Sequence, residues 1–487
     1  MYIIHSNIGL LLLSEAGTIR PGKGGLTSMT RQSGKISIPF RRRSVTLSPT
    51  RVIALTFLAI ILCGTLLLTL PVASRTGQSH GVRTALFTAT SATCVTGLVL
   101  GDTWSQWSGF GQAVILCMIE LGGLGFMSAA SLVLFLLRRK VGLRQRMVIA
   151  QALSLNDMAG VVRLQKLVLV GSVSIQAAGA LVLAIRFFPV YGLSRAVRWG
   201  IFHAVSAFCN AGFDILGCLT PGQSVMGFAT DPVVMITLMV LIVVGGLGFF
   251  VWEELARFPK SRRLTVYTRL VLLTSLVLVV AGAGLICLLE WNNPHTLGQM
   301  TVPQKILAGT FQSVSTRTAG FAGLDQGRLT EAGKAVTIAL MAVGGSSGST
   351  AGGIKTVTLV VVLLFLWSRA RGRGSVCVFR RTIPDGQVMN AMTIVLIFVA
   401  LSLFGGIFVS ATSPVGFTDG LYESVSALAT VGLSSAGTVN LSIPAQLLMI
   451  VYMYFGRVGV LTISLGFLMG NRADERYRYA QTNLLIG

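Results

Sequence analysis

Four short, similar stretches of the sequence each end close to a glycine that could help to bind a cation. They span residues 91–98, 206–213, 314–321 and 426–433. Their glycines, Gly97, Gly212, Gly320 and Gly432, recur about every 110 residues. Glycine adopts positive φ at no steric cost, so each one can turn a peptide carbonyl in a direction that other residues resist. A ring of carbonyl oxygens can replace the water shell of a monovalent cation. The repeats therefore predict a cation pore made of four copies of one unit.

A less specific alternative fits the same glycines. Four re-entrant turns with small residues would also allow close packing of membrane helices. Thr430-Val431-Gly432 matches the Thr-Val-Gly opening of a potassium-channel filter. No copy continues to a second filter glycine, so the match is partial.

The composition identifies the class of protein. Of the 487 residues, 53% are hydrophobic and 11% are charged, and the mean hydropathy is +0.76. An ordinary soluble domain does not have these values. The net charge of +23 comes mainly from basic residues in the two ends of the chain and in stretches near 138–166, 255–270 and 368–388. Such clusters between repeats are typical of cytoplasmic segments of membrane proteins. Acidic lipid headgroups, and not nucleic acid, are their expected partner.

Each repeat is predicted to contain a span, a half-helix, a loop and a second span. Eight stretches have the length that a bilayer core requires: 52–72, 109–137, 164–188, 232–256, 270–290, 335–367, 389–410 and 444–470. The half-helices are expected at 84–93, 196–209, 303–315 and 417–429. An even number of spans puts both termini on one side, which the charge pattern assigns to the cytoplasm. The partly negative carboxyl ends of the half-helices would then point at the pore and favour cations.

We therefore expect an all-α polytopic membrane protein whose four tandem span–pore-helix–loop–span units have pseudo-fourfold symmetry around one pore. The predicted divisions are a basic cytoplasmic N-terminal arm (1–50), pore unit one (51–140), pore unit two (163–257), pore unit three with a broken inner helix (266–371), pore unit four (388–470) and a cytoplasmic C-terminal tail (471–487).

Glycines also recur in the second span of each unit. Gly122-Gly123, Gly245-Gly246 and Gly344-Gly345 have a fourth counterpart at Gly456. In units one and two, close helix packing is the favoured interpretation. In unit three the glycines belong to a sequence that no membrane helix would select for stability, because each interior glycine costs about 1 kcal/mol relative to alanine.

This polar sequence predicts a gate beneath the filter. Its residues are Gly344, Gly345, Ser346, Ser347, Gly348, Ser349, Thr350, Ala351, Gly352 and Gly353. Irregular backbone at membrane depth is tolerated where it lines a cavity or is buried in protein. A phosphate-binding P-loop is the rival hypothesis, but Ile354 interrupts its signature and no soluble strand precedes it.

Arg457 lies in the middle of the last predicted span. A central arginine costs about 2.5–3.5 kcal/mol on insertion scales, so it is expected to face the aqueous cavity as part of the gate. The alternative is a structural ion pair with Glu120 or Glu253. His203, Gln312 and Glu423 lie in the half-helices and are interpreted as braces of the loops. Arg317 is also better explained as a brace, because a cation lining a cation filter would oppose conduction.

Several motifs together resemble the Trk/Ktr/HKT superfamily of potassium transporters, and within it the KtrB type. They are SAFCNAGF (206–213), FQSVSTRTAGF (311–321), GGSSGSTAGGIKT (344–356), SALATVGLS (426–434) and FGRVGVLT (455–462). The resemblance covers nearly all of residues 50–487. Glycine in all four loops is similar to the potassium-preferring subgroup, and the lack of two extra N-terminal spans resembles KtrB more than TrkH. Glu120 departs from the family pattern, which more often has an uncharged residue there.

The resemblance implies a K⁺ filter, an intramembrane gate and several partners. The filter residues would be Thr93, Cys94, Val95, Thr96, Gly97, Cys209, Asn210, Ala211, Gly212, Arg317, Thr318, Ala319, Gly320, Ala429, Thr430, Val431 and Gly432, with K⁺ at the glycine carbonyls. The unit-three loop and Arg457 would gate it. The family also implies a homodimer on a cytoplasmic nucleotide-binding ring of the KtrA or TrkA type. Such rings bind nucleotide themselves, so no cofactor is expected on this chain, with K⁺ as cargo and Na⁺ as a candidate activator.

The expected function is therefore K⁺ conduction into the cell through a single-glycine filter in the plasma membrane. A sodium-coupled symporter, or a sodium-selective relative of the HKT type, is the alternative. A membrane-embedded enzyme is a third hypothesis, but the sequence lacks a cluster of His, Asp, Glu or Cys able to carry out acid–base or metal chemistry.

Overall fold

The computed structural model describes residues 36–40, 43–47, 49–125, 161–219 and 221–459. The regular secondary structure of this part of the chain is helical apart from two short antiparallel hairpins. The first hairpin pairs strand β1 (Ile36–Phe40) with strand β2 (Arg43–Leu47). The predictions for the N-terminal arm before residue 36 and for the C-terminal tail lie outside the described residues.

Unit one contains a long helix, a half-helix and a second apolar helix. Its elements are α1 (Pro49–Thr69), α2 (Gly81–Thr93), α3 (Thr103–Gln106) and α4 (Gly109–Leu124). Helix α2 has only 13 residues, which is too few to cross a bilayer core. The chain then turns through the loop that holds Gly97. Ser108 begins α4 as a cap, because its hydroxyl accepts a hydrogen bond from the amide of Gly111 at 3.3 Å.

Unit two repeats this order. Its helices are α5 (Val161–Tyr191), α6 (Leu193–Phe208), α7 (Pro232–Leu247) and α8 (Phe249–Ser261). Asp231 caps α7 by accepting the amide of Val233 at 3.0 Å, and Pro232 suits the first helical position. Helix α8 turns away from α7 by 98°.

Unit three differs in its second span, which is interrupted. Its helices are α9 (Val266–Glu290), α10 (Val302–Ser315), α11 (Glu331–Ala342) and α12 (Thr356–Ala370). A capping box of Thr301 and Gln304 begins α10. The interruption between α11 and α12 falls on the glycine- and serine-rich sequence from which a break was predicted.

Unit four follows a second hairpin, formed by β3 (Cys377–Val378) and β4 (Arg381–Thr382). Its helices are α13 (Asp385–Thr412), α14 (Phe417–Leu428) and α15 (Ile443–Val458). Ser442 caps α15 by accepting the amide of Ala445 at 3.3 Å.

Within the described residues, four helices are long and apolar enough to cross a membrane, namely α1, α5, α9 and α13. The bent pair α7 and α8 makes a fifth span if it is counted as one. Helices α4, α12 and α15 are apolar but shorter. The protein is therefore a multi-pass membrane protein with one long outer helix in each unit.

Three of the predicted second spans differ from the observed helices. We expected continuous spans at 109–137, 232–256 and 444–470, but helices α4, α7 and α15 end at Leu124, Leu247 and Val458. Each is followed by a glycine with positive φ: Gly125 (81°), Gly248 (93°) and Gly459 (94°). Glycine adopts a positive φ at no steric cost, so the chain can leave the helical path at these positions. The spans of units one and four beyond residues 125 and 459 lie outside the described residues.

The four units form a closed ring in chain order. In each unit the half-helix packs against the long helix of that unit. The second apolar helix of each unit then packs against the half-helix of the following one, in the pairs α4–α6, α7–α10, α11–α14 and α15–α2. The half-helices are buried toward their carboxyl ends, whereas the long helices expose apolar side chains such as Leu66 and Leu288 to the outside.

Candidate cation pathway

The carboxyl end of each half-helix continues into a loop with a shared backbone conformation. In loop one the amides of Val95 and Thr96 donate to the carbonyls of Ala92 and Ser91 at 3.2 and 2.8 Å. Asn210 and Ala211 in loop two, and Thr430 and Val431 in loop four, form the same pair of bonds. In loop three the amides of Ala319 and Gly320 both donate to one carbonyl, that of Ser315.

Each loop has two residues with positive φ. The glycines have φ of 97° at Gly97, 68° at Gly212, 79° at Gly320 and 99° at Gly432. Two positions earlier, the side-chain-bearing residues Val95, Asn210, Thr318 and Thr430 have φ between 54° and 63°. Three of these are β-branched, for which this conformation is an outlier. The same strained geometry in four loops indicates that the direction of the backbone carbonyls is fixed.

The four glycines lie around one ring. A Cβ built on Gly97 would lie 3.1 Å from the α-carbon of Gly212, and one on Gly212 would lie 2.8 Å from that of Gly320. The same construction joins Gly320 to Gly432 at 3.2 Å and Gly432 back to Gly97 at 3.0 Å. Each Cβ would also collide with a carbonyl oxygen of the next loop. The structure thus brings together all four predicted loops, and only glycine fits at the closest approach.

Serine hydroxyls of the half-helices stabilise the four loops by hydrogen bonds to the loop backbone. Ser91 and Ser426 accept hydrogen bonds from the amides of Gly97 and Gly432, both at 3.0 Å. Ser206 and Ser315 instead donate to the carbonyls of Phe213 and Phe321, at 2.7 and 2.6 Å. These bonds offset part of the backbone strain.

Four hydroxyl groups of the predicted filter have no hydrogen-bond partner within the described part of the chain. They belong to Thr93, Thr96, Thr318 and Thr430. Buried polar groups in proteins are almost always satisfied by protein, water or an ion. The predicted filter therefore contains hydroxyl oxygens, in addition to its carbonyl oxygens, whose lone pairs can coordinate a cation. An alkali cation requires oxygen ligands of this kind.

The residues interpreted as braces make the expected kind of contact. His203 hydrogen-bonds through Nδ1 to the carbonyl of Trp199 in its own helix at 2.7 Å, and its Nε2 accepts from the amide of Ile215 after loop two at 3.5 Å. Gln312 and Gln326 exchange side-chain amide hydrogen bonds at 2.5 and 3.1 Å. Arg317 turns away from the ring and donates to the hydroxyl of Ser275 on α9 at 3.2 Å.

Glu423 is completely buried in unit four and braces the segment that follows loop four. Its carboxylate accepts hydrogen bonds from the hydroxyl of Ser434, from the amide of Ala436 at 3.2 Å and from the hydroxyl of Thr438 at 3.3 Å. It therefore holds the segment after the loop by three bonds.

The unit-three loop lies directly against the ends of α6 and α7. The amides of Ser346 and Thr350 donate to the carbonyls of Gly246 and Gly245, at 3.0 and 3.3 Å. The hydroxyl of Thr350 donates to the carbonyl of Phe208 at 3.2 Å. These three bonds hold the loop against the ends of the two helices.

The same loop contacts filter loops three and four. A Cβ on Gly352 would lie 2.8 Å from the carbonyl oxygen of Ala429, and one on Gly344 would lie 3.1 Å from a side-chain carbon of Thr318. Tyr267 on α9 donates from its hydroxyl to the carbonyl of Ser347 at 3.0 Å. The loop is therefore held between the filter and the outer helix of its own unit.

Arg457 links the unit-three loop to unit one. Its guanidinium donates to the carbonyls of Thr350 and Gly122, and to that of Gly123 at 3.0 Å. Within the described residues no ion pair joins Arg457 to Glu120 or Glu253, and Glu253 pairs instead with Arg257 at 2.5 Å. The structural ion pair considered for Arg457 is therefore not found there.

Two further charged residues lie along the pathway: Lys355, which was not singled out from the sequence, and Glu120, which was considered there only as an ion-pair partner of Arg457 and as a departure from the family pattern. Lys355 donates from Nζ to the carbonyl of Ala351 at 2.7 Å, next to the carbonyl that Arg457 contacts. Glu120 accepts hydrogen bonds from Gln176 at 3.0 Å and from the thiol of Cys209 in loop two at 3.3 Å. A charged residue within a membrane-spanning segment is by default a candidate functional residue. This feature of the sequence could have identified both residues.

The paired glycines of units one and two have the packing role that was favoured for them. A Cβ on Gly122 would lie 2.8 Å from the carbonyl carbon of Thr93, and one on Gly245 would lie 3.1 Å from that of Phe208. The second apolar helix of each of these units therefore approaches its own half-helix backbone closely, as small residues allow.

Comparison with known proteins gives concordant results. Residues 46–475 match the family model TrkH, described as "Cation transport protein". The chain is 37% identical to the potassium/sodium uptake protein NtpJ of Enterococcus hirae, over 91% of this chain and 98% of that protein. It is 36% identical to the Ktr system potassium uptake protein B of Bacillus subtilis, over 92% and 98%.

A solved structure has the same fold. The potassium transporter TrkH from Vibrio parahaemolyticus matches with a TM-score of 0.66 at 16% identity, over 88% of this chain and 86% of that one.

Proposed function

Because the chain belongs to the TrkH family of cation transport proteins, we propose that it is the potassium-conducting membrane subunit of a Ktr/Trk-type uptake system. The relatives at 36–37% identity are named as potassium uptake proteins. The chain is a transporter and not an enzyme, since its family and its relatives are transporters.

One observation carries the proposal for K⁺ selection. The glycines at 97, 212, 320 and 432 approach one another in a closed ring, and all four have positive φ. Carbonyls fixed in this way can replace the hydration shell of K⁺ without reorganising when the ion arrives. Pseudo-fourfold symmetry around a single pore is part of this proposal.

The unit-three loop is proposed as the gate. It is buried between the filter loops and α7, and two cationic side chains hold adjacent carbonyls of the loop. Breaking these few hydrogen bonds would free a segment that has no helical structure of its own. K⁺ would then move inward down its electrochemical gradient.

Growth of a strain that lacks its own potassium uptake tests the function. Expression of this chain should rescue growth at low K⁺, with and without Na⁺ in the medium. The control is the same strain with an empty vector, and an immunoblot of the membrane fraction verifies expression. Absence of rescue in both media, with the protein present in the membrane, would contradict K⁺ uptake.

A sodium-dependent or sodium-conducting transporter is the second candidate, because one relative is named a potassium/sodium uptake protein. It differs from the first in an observable way. Uptake of Rb⁺ serves as the measure of K⁺ uptake. If growth rescue and Rb⁺ uptake occur only with Na⁺ present, or if Na⁺ uptake exceeds Rb⁺ uptake, the second candidate replaces the first.

The partners are also proposals. One relative is named as protein B of a Ktr system, and we propose a homodimer on a cytoplasmic nucleotide-binding ring of the KtrA or TrkA type. The nucleotide would bind to the ring and not to this chain. Location in the plasma membrane with both termini in the cytoplasm completes the proposal. Co-purification with such a ring, followed by mass measurement of the complex, tests the stoichiometry.

A further inference from the structure

The hairpin between units three and four has an unusual turn. Strands β3 and β4 pair Cys377 with Thr382 and Val378 with Arg381. The two connecting residues, Phe379 and Arg380, have φ of 44° and 64°. Two-residue turns of this kind normally use Asn and Gly, because these tolerate positive φ. Strain at a bulky residue persists where the surrounding structure enforces it, and it often marks a functional site.

The base of this hairpin is fixed to the membrane helices. Val376 is 4% exposed and packs in an apolar cluster with Val361 and Val362 of α12 and with Val388 and Ala391 of α13. The hydroxyl of Ser368 donates to the carbonyl of Ser375 at 2.8 Å, and the amide of Ile383 donates to that of Val376 at 2.9 Å. These contacts hold the base of the hairpin and so fix the orientation of its turn at Phe379 and Arg380.

The segment is strongly cationic. Residues 368–382, which we name the arginine hairpin, contain five arginines and no Asp or Glu. The five are Arg369, Arg371, Arg373, Arg380 and Arg381, and all are exposed. None of them forms an ion pair with a carboxylate in the described part of the chain.

The order of side chains along α12 and into the hairpin follows the layers of a bilayer. Leu363 and Leu366 are each 53% exposed on an apolar helix, and Trp367, at 58%, follows them. The guanidinium of Arg371 lies 4.3 Å from the centre of the Trp367 ring. Tryptophan is enriched at the membrane–water interface, so the arginines after it lie at the level of the headgroups.

We propose that the arginine hairpin binds the anionic headgroups of phospholipids. Its arginines match phosphate in charge and in hydrogen-bonding geometry. Phe379, which is 49% exposed at the tip, inserts its ring at the interface. A lipid partner follows from the continuity of the hairpin with the lipid-facing surface of α12. The proposal is independent of which ion the pore conducts.

The test measures lipid enrichment around the intact protein. The chain is reconstituted in nanodiscs of phosphatidylcholine that contain a small fraction of brominated phosphatidylglycerol or, in parallel, the same fraction of brominated phosphatidylcholine. Bromine quenches nearby tryptophan, and a Trp367→Phe variant identifies the share of the signal from Trp367. We expect stronger quenching of Trp367 by the brominated anionic lipid.

Variants then assign the preference to the hairpin. The double variant Arg380→Gln/Arg381→Gln should lose it by about fivefold for each arginine removed, since each basic residue near the surface contributes about that factor. Arg262→Gln/Arg263→Gln removes the same charge from the turn after α8 and should keep the preference. Phe379→Ser should weaken it by less than the arginine pair.

Three outcomes would overturn the proposal. These are equal quenching by the two brominated lipids in the wild type, unchanged quenching in the arginine-hairpin variant, and an equal loss in the control pair. If the hairpin variant keeps its lipid preference but no longer co-purifies with a cytoplasmic ring, the hairpin is a protein-docking surface instead. Rb⁺ uptake in phosphatidylcholine alone is measured on the same samples, so failure of the transport function is seen separately.

Discussion

At the scale of single residues, the filter loops contain amino acids that backbone stability would not select. Val95, Thr318 and Thr430 are β-branched and have positive φ, a conformation that costs on the order of 1–3 kcal/mol for each residue. The hydroxyls of Ser91 and Ser426 accept hydrogen bonds from amides of these loops, and that of Ser315 donates to a loop carbonyl. This combination indicates that the fold fixes the orientation of the loop carbonyls and compensates for the local strain.

Glu120 is predicted to fix the position of filter loop two. Its carboxylate joins helix α4 to Gln176 on α5 and to the thiol of Cys209. Glu120→Ala should lower the ratio of Rb⁺ to Na⁺ uptake by about tenfold, because a hydrogen bond to a charged group contributes about 1.5–3 kcal/mol and the lower end of this range corresponds to that factor. Ion competition in proteoliposomes measures this ratio.

Conservative variants separate positioning from general damage. Glu120→Gln keeps an acceptor for Gln176, and Cys209→Ser keeps a donor at the loop, so both should retain most of the selectivity. Glu120→Ala and Cys209→Ala should be non-additive when combined. Unchanged selectivity in Glu120→Ala, or additive effects in the double variant, would show that Glu120 does not act through loop two.

Lys355 is predicted to stabilise the closed gate together with Arg457. The two cations hold the adjacent carbonyls of Ala351 and Thr350. Lys355→Met removes one of these bonds and one positive charge beneath the filter, and it should raise the initial rate of Rb⁺ uptake by about threefold to tenfold. Lys355→Arg keeps charge and donor and serves as the matched control. A rate in Lys355→Met that equals the wild type would contradict a role in the gate.

At the scale of the elements, the half-helices could be predicted closely and the second spans could not. The four half-helices begin and end within three residues of the expected positions, because each has a short apolar pattern that ends near a repeated glycine. The second spans were predicted from hydrophobicity, which does not detect a backbone turn. In units one, two and four the last glycine of the motif, Gly125, Gly248 or Gly459, follows the helix directly and has a positive φ, which only glycine adopts at no steric cost.

The contacts of the gate loop show a second limit of the sequence. That the loop breaks a helix followed from its glycines and serines. Its partners did not follow, because Gly246, Phe208 and Tyr267 are between about 80 and 140 residues away along the chain. Their proximity depends on how the units close into a ring, which local composition does not encode.

Substitution of a filter glycine should reduce ion selectivity without unfolding the protein. A Cβ at Gly320 would collide with the carbonyl oxygen of Val431 and would have to adopt a φ of 79°. Gly320→Ser should therefore displace loop four and lower the ratio of Rb⁺ to Na⁺ uptake. Gly77 also has positive φ but has open space at its Cβ, so Gly77→Ser is the control for backbone strain alone. Equal ion competition in both variants would refute the assignment.

Shortening the gate loop should raise transport. Deletion of residues 346–351 removes the segment that contacts α7 and Arg457. In the wild type the open state of the gate is expected to be populated at about 0.1–10%. Removal of the loop should make the open state dominant and so raise Rb⁺ uptake by at least about tenfold. The ratio of Rb⁺ to Na⁺ should stay close to the wild-type value, because the deletion leaves the filter glycines in place. A folded deletion variant with wild-type flux would remove the loop from the gating mechanism.

At the scale of the whole molecule, the pore is complete only when the last unit meets the first. Helix α15 packs against half-helix α2, and the hydroxyl of Tyr454 donates to the carbonyl of Ala54 in α1 at 2.8 Å. Arg457 reaches from α15 to both the unit-three loop and the end of α4. The filter and the gate are therefore joined by the same closing contact, so that a change at one is expected to alter the other.

Two exposed cysteines, which the proposed topology places on opposite sides of the membrane, can report the orientation of the protein. Cys218 follows filter loop two, and Cys377 lies in the arginine hairpin. With both termini in the cytoplasm, a membrane-impermeant maleimide should label Cys218 in intact cells and Cys377 only after permeabilisation, and the Cys→Ser variants identify each signal.

Hydrogen bonds with Thr382 and Ser375 lower the pKa of Cys377, whereas partial burial raises the pKa of Cys218. Because the thiolate is the reactive form, labelling of Cys377 should reach its half-maximal rate at the lower pH in permeabilised cells. Labelling of Cys377 from outside intact cells would show that the orientation is the reverse of the proposed one. The gate would then lie on the wrong side of the filter for inward release of K⁺.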